Sequence, residues 1–483
     1  MPVKFLPIRM TAGVLAALFS LTSGAQTLPP EIDALLARAQ VPQAAFAAIV
    51  VDAGPALNGK SAPPLLNWRA GAAMNPASVM KLVTTFAGLE LLGPAYSWTT
   101  PVYADGPIVN GVLQGNLVIQ GRGDPKLVVE RLWLLLRRVR ALGIRTIAGD
   151  IVLDRAAFAP LAQNPGDFDG EALRPYNALP DALLLNYKSV VMTFVPNAAA
   201  GSASVSFEPP LAGVALQASV PLSGATARAD CGDYRAQLKA DFADPARIVF
   251  SGSYPVACGE KSWAIAYADP ASYSQRAIAG LWREMGGTLA GSVRDGIAPP
   301  GSTPAFIMES PPLADVIRDI NKFSNNVMAQ QLFLTLSLRR PGGASIDASR
   351  EAVRGWWQAR FGADDIPVLD NGSGLSRSGR ITPQALARML QTAYASGAMP
   401  ELMASLPIAG VDGTLKRGKS RVSQGWAHLK SGSLRDVNAL AGFVHTPSGR
   451  RLVVVGIVNH ANAAAARPAL DALVDWAVTE GSR

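Results

Sequence analysis

Hydrophobic and polar positions divide the chain into two helix-rich stretches separated by a strand-rich one. Apolar residues at helical spacing predict a helix in EIDALLARAQ, and the apolar run AAFAAIVVD that follows predicts a buried strand. From about residue 271 helical patterns return, and the predicted hairpin AGFVHTPSGRRLVVVGIVNH precedes a last helix. The two ends together predict one α+β domain in which helices flank an antiparallel sheet.

The middle of the chain consists of short apolar runs separated by Gly, Pro, Asn and Asp, such as SVVMTFVPN and SWAIAYADP. This pattern is typical of strands joined by tight turns. We therefore expect an inserted α+β, β-rich module of one or two nested subdomains at 96–268. It would interrupt a main domain formed by residues 26–95 and 269–483.

The N-terminal segment has the three parts of a secretory signal peptide. Lys4 and Arg9 precede the apolar run AGVLAALFSL, and small residues occupy positions 23–25. We expect residues 1–25 to be cleaved before Gln26, the alternative being a buried N-terminal helix. No later stretch reaches the roughly 18 apolar residues of a membrane span. The mature chain is therefore predicted to lack a transmembrane segment and to be exported to the periplasm.

Composition narrows the classes of partner. The 483 residues are 49% hydrophobic and 17% charged, with a formal net charge of +8, which indicates a globular chain. The mild basic excess suits anionic surroundings such as a bacterial wall. Because no dense Lys/Arg block with interleaved aromatic residues occurs, nucleic acid is not an expected partner.

Cysteine and histidine usage favours neither a metal site nor a cofactor. In an exported chain the two cysteines, Cys231 and Cys258, are expected to form a structural disulfide. A catalytic or metal-binding role for them would need histidine partners. His428, His445 and His460 are not spaced as a metal site, so we expect no metal and no cofactor.

One apolar helix carries a single charge. Asn75 is a good N-cap and Pro76 suits the first helical position, so Ser78 is predicted in the first turn with Lys81 three residues on. This spacing places hydroxyl and amine on one face. Because burying an ammonium is costly, we expect Lys81 to act as a base toward Ser78. The alternative is a lysine that reaches solvent beside an ordinary serine of the first turn.

Two further triplets occur in the second half of the chain. They are Ser324-Asn325-Asn326, an S-x-N, and Lys430-Ser431-Gly432, a K-[S/T]-G, and each is the sole instance of its pattern, as Ser78 to Lys81 is of S-x-x-K. The three motifs, S-x-x-K, S-x-N and K-[S/T]-G, are predicted in chain order on a helix, a helix-associated turn and a strand. Chance accounts for any one of them, but not for the ordered set.

With these motifs the chain resembles the serine D,D-peptidases and β-lactamases. Within that superfamily it is most similar to the class C low-molecular-mass penicillin-binding proteins, the D-alanyl-D-alanine carboxypeptidase/endopeptidase family of the DacB type (S13). The resemblance covers nearly the whole mature chain and includes GRGDP, GDIVLD, DNGSGLSR at 370–377 and AGVDGTL at 409–415. It implies a penicillin-binding-protein/β-lactamase-like transpeptidase domain with a large β-rich insertion. Its implied partners are peptidoglycan stem peptides and β-lactam antibiotics.

The resemblance also implies roles for the first two motifs. Ser78 would attack the carbonyl of the penultimate D-alanine and form an acyl-enzyme, with Lys81 as the activating base. Ser324 would relay a proton toward the leaving amine, and Asn326 would hold the backbone amide of the substrate.

For the third motif the resemblance implies substrate binding. Lys430 would depress the pKa of Lys81 and, with Ser431, receive the terminal carboxylate. Gly432 would permit close backbone approach. The backbone N–H groups of Ser78 and Ser433 would form the oxyanion hole.

Some positions depart from the family pattern. Ser431 replaces the usual threonine, and Arg435 stands where relatives often carry glutamine. Arg377 matches a family position that contacts the acidic side chain of the peptide. In the loop GEALRPYNA, Glu171 and Tyr176 stand where we would expect an aspartate and a phenylalanine from the family pattern. These positions bear on the choice of stem-peptide residue and leave acyl transfer unaffected.

Two other functions use the same features. A serine β-lactamase or esterase would share the three motifs, but the 246 positions between Ser78 and Ser324 leave room for a module that lactamases generally lack. No clear ExxxN deacylation element is present. A non-catalytic peptidoglycan-binding scaffold is disfavoured because all three motifs are intact.

Overall fold

A computed structural model of the chain describes Met1 and residues 27–54, 62–224, 230–340, 343–418 and 420–482. Apart from Met1, the predicted signal peptide and its cleavage site before Gln26 lie outside the described residues. The helices of the described residues are α1 (Pro30–Arg38), α2 (Lys81–Leu92), α3 (Val129–Ala141), α4 (Tyr234–Leu238), α5 (Tyr273–Glu284), α6 (Leu313–Lys322), α7 (Asn326–Thr335), α8 (Ile346–Phe361), α9 (Pro383–Tyr394), α10 (Met399–Ser405) and α11 (Arg467–Glu480).

The strands, in chain order, are β1 (Phe46–Asp52), β2 (Leu66–Trp68), β3 (Thr99–Asp105), β4 (Ile108–Val109), β5 (Val112–Leu113), β6 (Asn116–Gln120), β7 (Thr146–Ile147), β8 (Ile151–Asp154), β9 (Ser189–Asn197), β10 (Ser202–Glu208), β11 (Ala215–Leu216), β12 (Ser219–Ser223), β13 (Ala240–Asp241), β14 (Arg247–Phe250), β15 (Tyr254–Pro255), β16 (Lys261–Ala266), β17 (Thr288–Leu289), β18 (Val293–Gly296), β19 (Phe306–Glu309), β20 (Ala427–Leu434), β21 (Val437–His445) and β22 (Arg451–Asn459).

Strands from both ends of the chain form one antiparallel sheet in the order β2-β1-β22-β21-β20. Alternate side chains of β1 enter different cores, because successive residues of a strand point to opposite faces. Ala47 and Ile49 pack with α2, α7 and α9, whereas Ala48 and Val50 pack with α1 and α11. The sheet is thus covered by helices on both faces, as the α+β prediction requires.

Residues between α2 and α6 form further sheets around a separate core. Two of these sheets have the orders β17-β7-β5-β4 and β18-β8-β6-β3-β19, and two others have the orders β15-β12-β10-β9-β16 and β11-β14-β13. Within this segment Cys231 and Cys258 form a disulfide, which confirms the expected pairing.

Strands after residue 268 pair with strands of the middle segment. Strands β17, β18 and β19 pair with β7, β8 and β3, and α5 packs in the same core. Helices that pack on the main sheet return only with α6. We therefore propose that the inserted module runs from about 96 to about 310, rather than ending at 268. This proposed boundary differs from the expected one because α5, which was assigned to the main domain from its helical pattern, packs in the core of the inserted sheets.

Candidate active site

Ser78 lies on a 3-10 turn, Ala77–Met80, directly before α2. Asn75 Oδ1 accepts a hydrogen bond from Ala77 N–H at 2.9 Å, two residues ahead, which closes a tight turn instead of capping a regular helix. Ala77 has φ +48°, a left-handed conformation that is strained for a residue with a Cβ. The expected helix start, with Pro76 in the first turn of α2, is therefore wrong by about one turn.

Two glycines allow the backbone to pack against this turn. A Cβ on Gly432 would lie 2.5 Å from Pro76 O and 3.0 Å from Ser78 N. A Cβ on Gly374, which has φ +75°, would lie 2.0 Å from Ala77 O. Strand β20 and the DNGSGLSR loop thus hold the Ser78 turn between them. For Gly432, the family resemblance implied a close backbone approach along the strand.

Lys81 lies at the centre of the site and has no exposed surface. Its Nζ donates to Ser78 Oγ at 2.9 Å, to Asn326 Oδ1 at 2.6 Å and to the Ser373 carbonyl at 2.6 Å. Burial, and then the nearby charge of Lys430, lower the pKa of Lys81 well below its ordinary value. The lowered pKa favours the neutral amine, which can accept the proton of the Ser78 hydroxyl.

Lys430 and Ser324 form a second pair opposite the first. Ser324 lies between α6 and α7 with φ +57°, and its Oγ accepts a hydrogen bond from Lys430 Nζ at 2.8 Å. The same ammonium donates to the Ser431 carbonyl at 2.7 Å. Burial lowers the pKa of Lys430 to about 7. Strained backbone at Ser324 is typical of residues held for function.

The inserted module forms one wall of the site. Asn326 Nδ2 donates to the Tyr176 carbonyl at 3.2 Å, so the loop that carries Tyr176 reaches the side chain that contacts Lys81. Beside this contact is a cavity of about 310 Å³ between two loops. Its lining is Gln163, Asn164, Pro165, Asp167, Phe168, Asn177, Leu179, Gln330, Asp370, Asn371, Leu375, Ser376, Arg377 and Ser378.

Arg377 projects toward this cavity. Its guanidinium lies 4.6 Å from the centre of the Phe168 ring and pairs with Asp436 at 3.1 Å. Ser433 is exposed near the end of β20, and Arg435 is exposed in the turn after it and does not line the described cavity.

A family model described as the D-Ala-D-Ala carboxypeptidase 3 (S13) family matches residues 28–480. The chain belongs to this family. D-alanyl-D-alanine carboxypeptidase DacB of Haemophilus influenzae is 28% identical over 398 residues, which are 80% of each chain. D-alanyl-D-alanine carboxypeptidase of Actinomadura sp. is 28% identical over 457 residues, covering 90% of this chain and 81% of that one. These findings confirm the predicted family and the enzyme class, a serine-type D-Ala-D-Ala carboxypeptidase.

Solved structures agree on the fold. The crystal structure of penicillin binding protein 4 (dacB) from Haemophilus influenzae has a TM-score of 0.72 at 23% identity, covering 92% of this chain and 99% of that chain. A predatory endopeptidase of Bdellovibrio bacteriovorus has a TM-score of 0.53 at 15% identity, covering 90% and 92%. The predicted penicillin-binding-protein/β-lactamase-like fold is confirmed.

The loop of the inserted module brings a different aromatic residue to Arg377 from the one noted in the sequence. Phe168, not Tyr176, lies against Arg377, and Glu171 pairs with Arg174 at 3.3 Å. Asp167, adjacent to Phe168, lines the cavity. The signal that could have identified Asp167 and Phe168 was an aromatic residue between two acidic ones in the polar stretch QNPGDFDG.

In the described parts of the chain, no helix has both the length and the hydrophobicity needed to cross a membrane. Nor do the described residues bring together three or more His, Cys, Asp or Glu side chains that could hold a metal ion.

Proposed function

We propose that the protein is a periplasmic serine D,D-peptidase that cleaves terminal D-Ala-D-Ala bonds, cross-link peptides of peptidoglycan, or both, through an acyl-enzyme on Ser78. The observation that carries this proposal is the buried amine of Lys81 at 2.9 Å from Ser78 Oγ, with its pKa lowered by burial and by Lys430. A lysine in this state is a competent general base for a serine nucleophile.

In the acylation step, Ser78 Oγ bonds to the carbonyl carbon of the penultimate D-alanine as its proton passes to Lys81. The negative carbonyl oxygen accepts hydrogen bonds from the backbone N–H groups of Ser78 and Ser433. Collapse breaks the peptide bond, and the leaving amine takes a proton relayed through Ser324, which accepts a hydrogen bond from Lys430. Water then attacks the ester carbon and frees Ser78.

Substrate recognition uses charges on both sides of the nucleophile. The terminal carboxylate would bind Lys430 and Ser431, and Asn326 would hold the backbone amide. Arg377 and Phe168 in the 310 Å³ cavity would receive the acidic side chain of the stem peptide, and Arg435 would contact the peptide from the exposed turn after β20. β-Lactams are the expected inhibitors, since one structure of the Haemophilus influenzae protein is a complex with a β-lactam.

The test is the intact mass of the mature protein after incubation with benzylpenicillin, followed by digestion of a D-Ala-D-Ala-terminated muropeptide. The wild type should carry a persistent adduct and release D-alanine or cleave cross-links. Ser78→Ala and Lys81→Ala should form no adduct while melting cooperatively. Ser262→Ala, on an exposed strand of the inserted module, is the matched control and should label normally.

Three other results of this experiment would contradict the proposed function. A covalent adduct on the Ser78→Ala variant would show that the nucleophile is assigned wrongly. Rapid turnover of penicillin by the wild type would identify a β-lactamase. Absence of any adduct and of any cleavage would favour a non-catalytic scaffold.

A further inference from the structure

The loop Ala409–Leu415, with the sequence AGVDGTL, lies outside the three motifs but contacts both walls of the active site. Asp412 Oδ2 accepts a hydrogen bond from Lys322 Nζ at 2.5 Å, and Lys322 is the last residue of α6, two positions before Ser324. A Cβ on Gly413 would lie 2.5 Å from Lys322 O. The loop is therefore fixed against the wall that carries Ser324.

The same loop is also fixed to the opposite wall. Ala409 N–H donates to the Ala427 carbonyl at 2.9 Å, which joins the loop to the first residue of β20. Further along, Thr414 Oγ1 lies 2.9 Å from Ser431 Oγ, so the two hydroxyls share one hydrogen bond. Thr414 is exposed, and Ser431 is half-buried. The two hydroxyls therefore lie together beside Ser431, whose backbone carbonyl accepts a hydrogen bond from Lys430, and Thr414 is accessible to a ligand.

We propose that Thr414 is a substrate-binding residue that shares recognition of the C-terminal carboxylate with Ser431, and that the ion pair of Asp412 with Lys322 positions it. This inference rests on the proposed function and adds a residue that the three motifs do not include.

The chemistry of the carboxylate requires more donors than Ser431 supplies. A carboxylate has two oxygens and about four lone-pair sites, while Lys430 already donates to Ser324 Oγ and to the Ser431 carbonyl. Each hydroxyl now bonded to the other can turn and donate to one carboxylate oxygen. Before substrate binds, the hydrogen bond with Thr414 also restrains the Ser431 side chain. Serine lacks the β-branch that limits the rotamers of threonine. Thr414 thus compensates for serine in the third motif.

The Asp412–Lys322 pair is suited to a fixed support. Lys322 is only 4% exposed, and Asp412 Oδ1 also accepts a hydrogen bond from Ile408 N–H at 2.8 Å. Burial alone would raise the pKa of Asp412, but the hydrogen bonds from Lys322 and Ile408 outweigh it and hold that pKa below its ordinary value. The carboxylate therefore stays ionised and paired at neutral pH.

The experiment compares two peptides, an N-acylated L-Lys-D-Ala-D-Ala and the same peptide with a C-terminal carboxamide. Thr414→Val should lower the ratio of kcat/KM for acid over amide by about tenfold, since a hydrogen bond to a charged group is lost. Thr414→Ser should restore the ratio. Thr193→Val is the matched control, because Thr193 shares an exposed hydroxyl contact with Ser262 at 3.2 Å in the inserted module.

Asp412→Asn tests positioning. It should lower the same ratio, and in a Thr414→Val background it should lower it no further, because both changes act through one hydroxyl. A purely structural role would reduce kcat/KM for acid and amide equally and add to the Thr414→Val effect.

The outcomes separate this inference from the proposed function. Equal losses on both peptides with Thr414→Val, an unchanged ratio, or failure of Thr414→Ser to restore it would each overturn the role of Thr414 while leaving D-alanine release by the wild type intact. If the wild type cleaves neither peptide and forms no penicillin adduct, the proposed function fails first.

Discussion

Two buried lysines with different partners define the site at the scale of residues. Lys81 contacts Ser78, the proposed nucleophile, whereas Lys430 contacts Ser324 and the strand that would bind the substrate carboxylate. Both ammonium groups lose hydration on burial, which costs stability that a structural role would not justify. The positive charge of one lysine also lowers the pKa of the other. The charge state of Lys430 therefore influences the protonation of Lys81.

Titration of Lys430 predicts a pH dependence. Its pKa of about 7 means that the free enzyme carries this charge below that pH and loses it above. We expect kcat/KM for a peptide with a free terminal carboxylate to fall as the pH rises through about 7, because the attraction of Lys430 for the carboxylate is lost. Steady-state or stopped-flow kinetics at a series of pH values would measure this dependence of kcat/KM.

The carboxamide peptide is the control for this profile, because it gives Lys430 no anion to bind. Its kcat/KM should decline less over the same pH range. A profile that is flat above pH 7 for the acid peptide, or equal declines for acid and amide, would contradict a carboxylate-binding role of Lys430.

Residue types, spacing and the family resemblance that the three motifs carry were enough to single out the central side chains that the structure brings together. A single charge in an apolar helix identified Lys81, and two short motifs identified Ser324 and Lys430. Sequence could not identify the Ser373 carbonyl, which accepts a hydrogen bond from Lys81, because this contact depends on a loop nearly 300 positions away. Thr414 lies in the AGVDGTL segment that supports the family resemblance, but no role was implied for its hydroxyl because its contact with Ser431 is visible only in the structure.

At the scale of elements, the site depends on how closely β20 approaches the Ser78 turn. The alternation of β20 leaves Gly432 facing the backbone of that turn, where the space admits no Cβ. The helix start was predicted one turn early because Asn75 and Pro76 favour a regular helix locally. Tertiary packing against Gly374 and Gly432 instead fits a 3-10 turn with a strained Ala77.

Gly432→Ala should separate β20 from the nucleophile. The added Cβ would lie 2.5 Å from Pro76 O, and backbone on both sides leaves little freedom to relax. We expect the rate of benzylpenicillin acylation to fall by at least about a hundredfold, as when an oxyanion-hole donor is lost. Acylation rates from intact mass and melting curves would measure both effects.

Gly355→Ala is the matched control for this substitution. Gly355 lies within α8, and a Cβ there meets no atom within 4 Å. That variant should acylate normally and gain up to about 1 kcal/mol in stability from the better helix former. Normal acylation by Gly432→Ala would show that β20 need not approach so closely.

At the scale of the whole molecule, the inserted module is joined to the peptidase core through α7. Gln331 Nε2 donates to the carbonyls of Gly123 and Asp181 at 3.2 and 2.9 Å, and its Oε1 accepts from Asp181 N–H at 2.9 Å. The same helix begins at Asn326, which contacts Lys81. Helix α7 thus links the placement of the insertion to the active site, a contact that no local sequence pattern could predict.

Two buried aspartates at this junction predict opposite effects of pH on stability. Burial raises the pKa of Asp124 to about 6, whereas Lys188 and Arg155 offset the burial of Asp181 and lower its pKa. Folded Asp124 holds its proton more tightly than the unfolded chain, so its contribution to stability decreases as the pH rises from about 4 through 6. Asp181 contributes stability above its unfolded pKa and loses it as the pH falls.

Asp124→Asn should therefore stabilise the protein at neutral pH, by up to about 3 kcal/mol, and have little effect near pH 4. Asparagine can still accept the hydrogen bond that Lys126 N–H donates to Asp124 Oδ1 at 2.7 Å. Asp181→Asn is the paired variant and should destabilise at neutral pH, since it leaves Lys188 buried beside a neutral group. Free energies of unfolding from urea titrations at both pH values would measure these differences. Destabilisation by Asp124→Asn at neutral pH would mean that the junction requires the charge of Asp124.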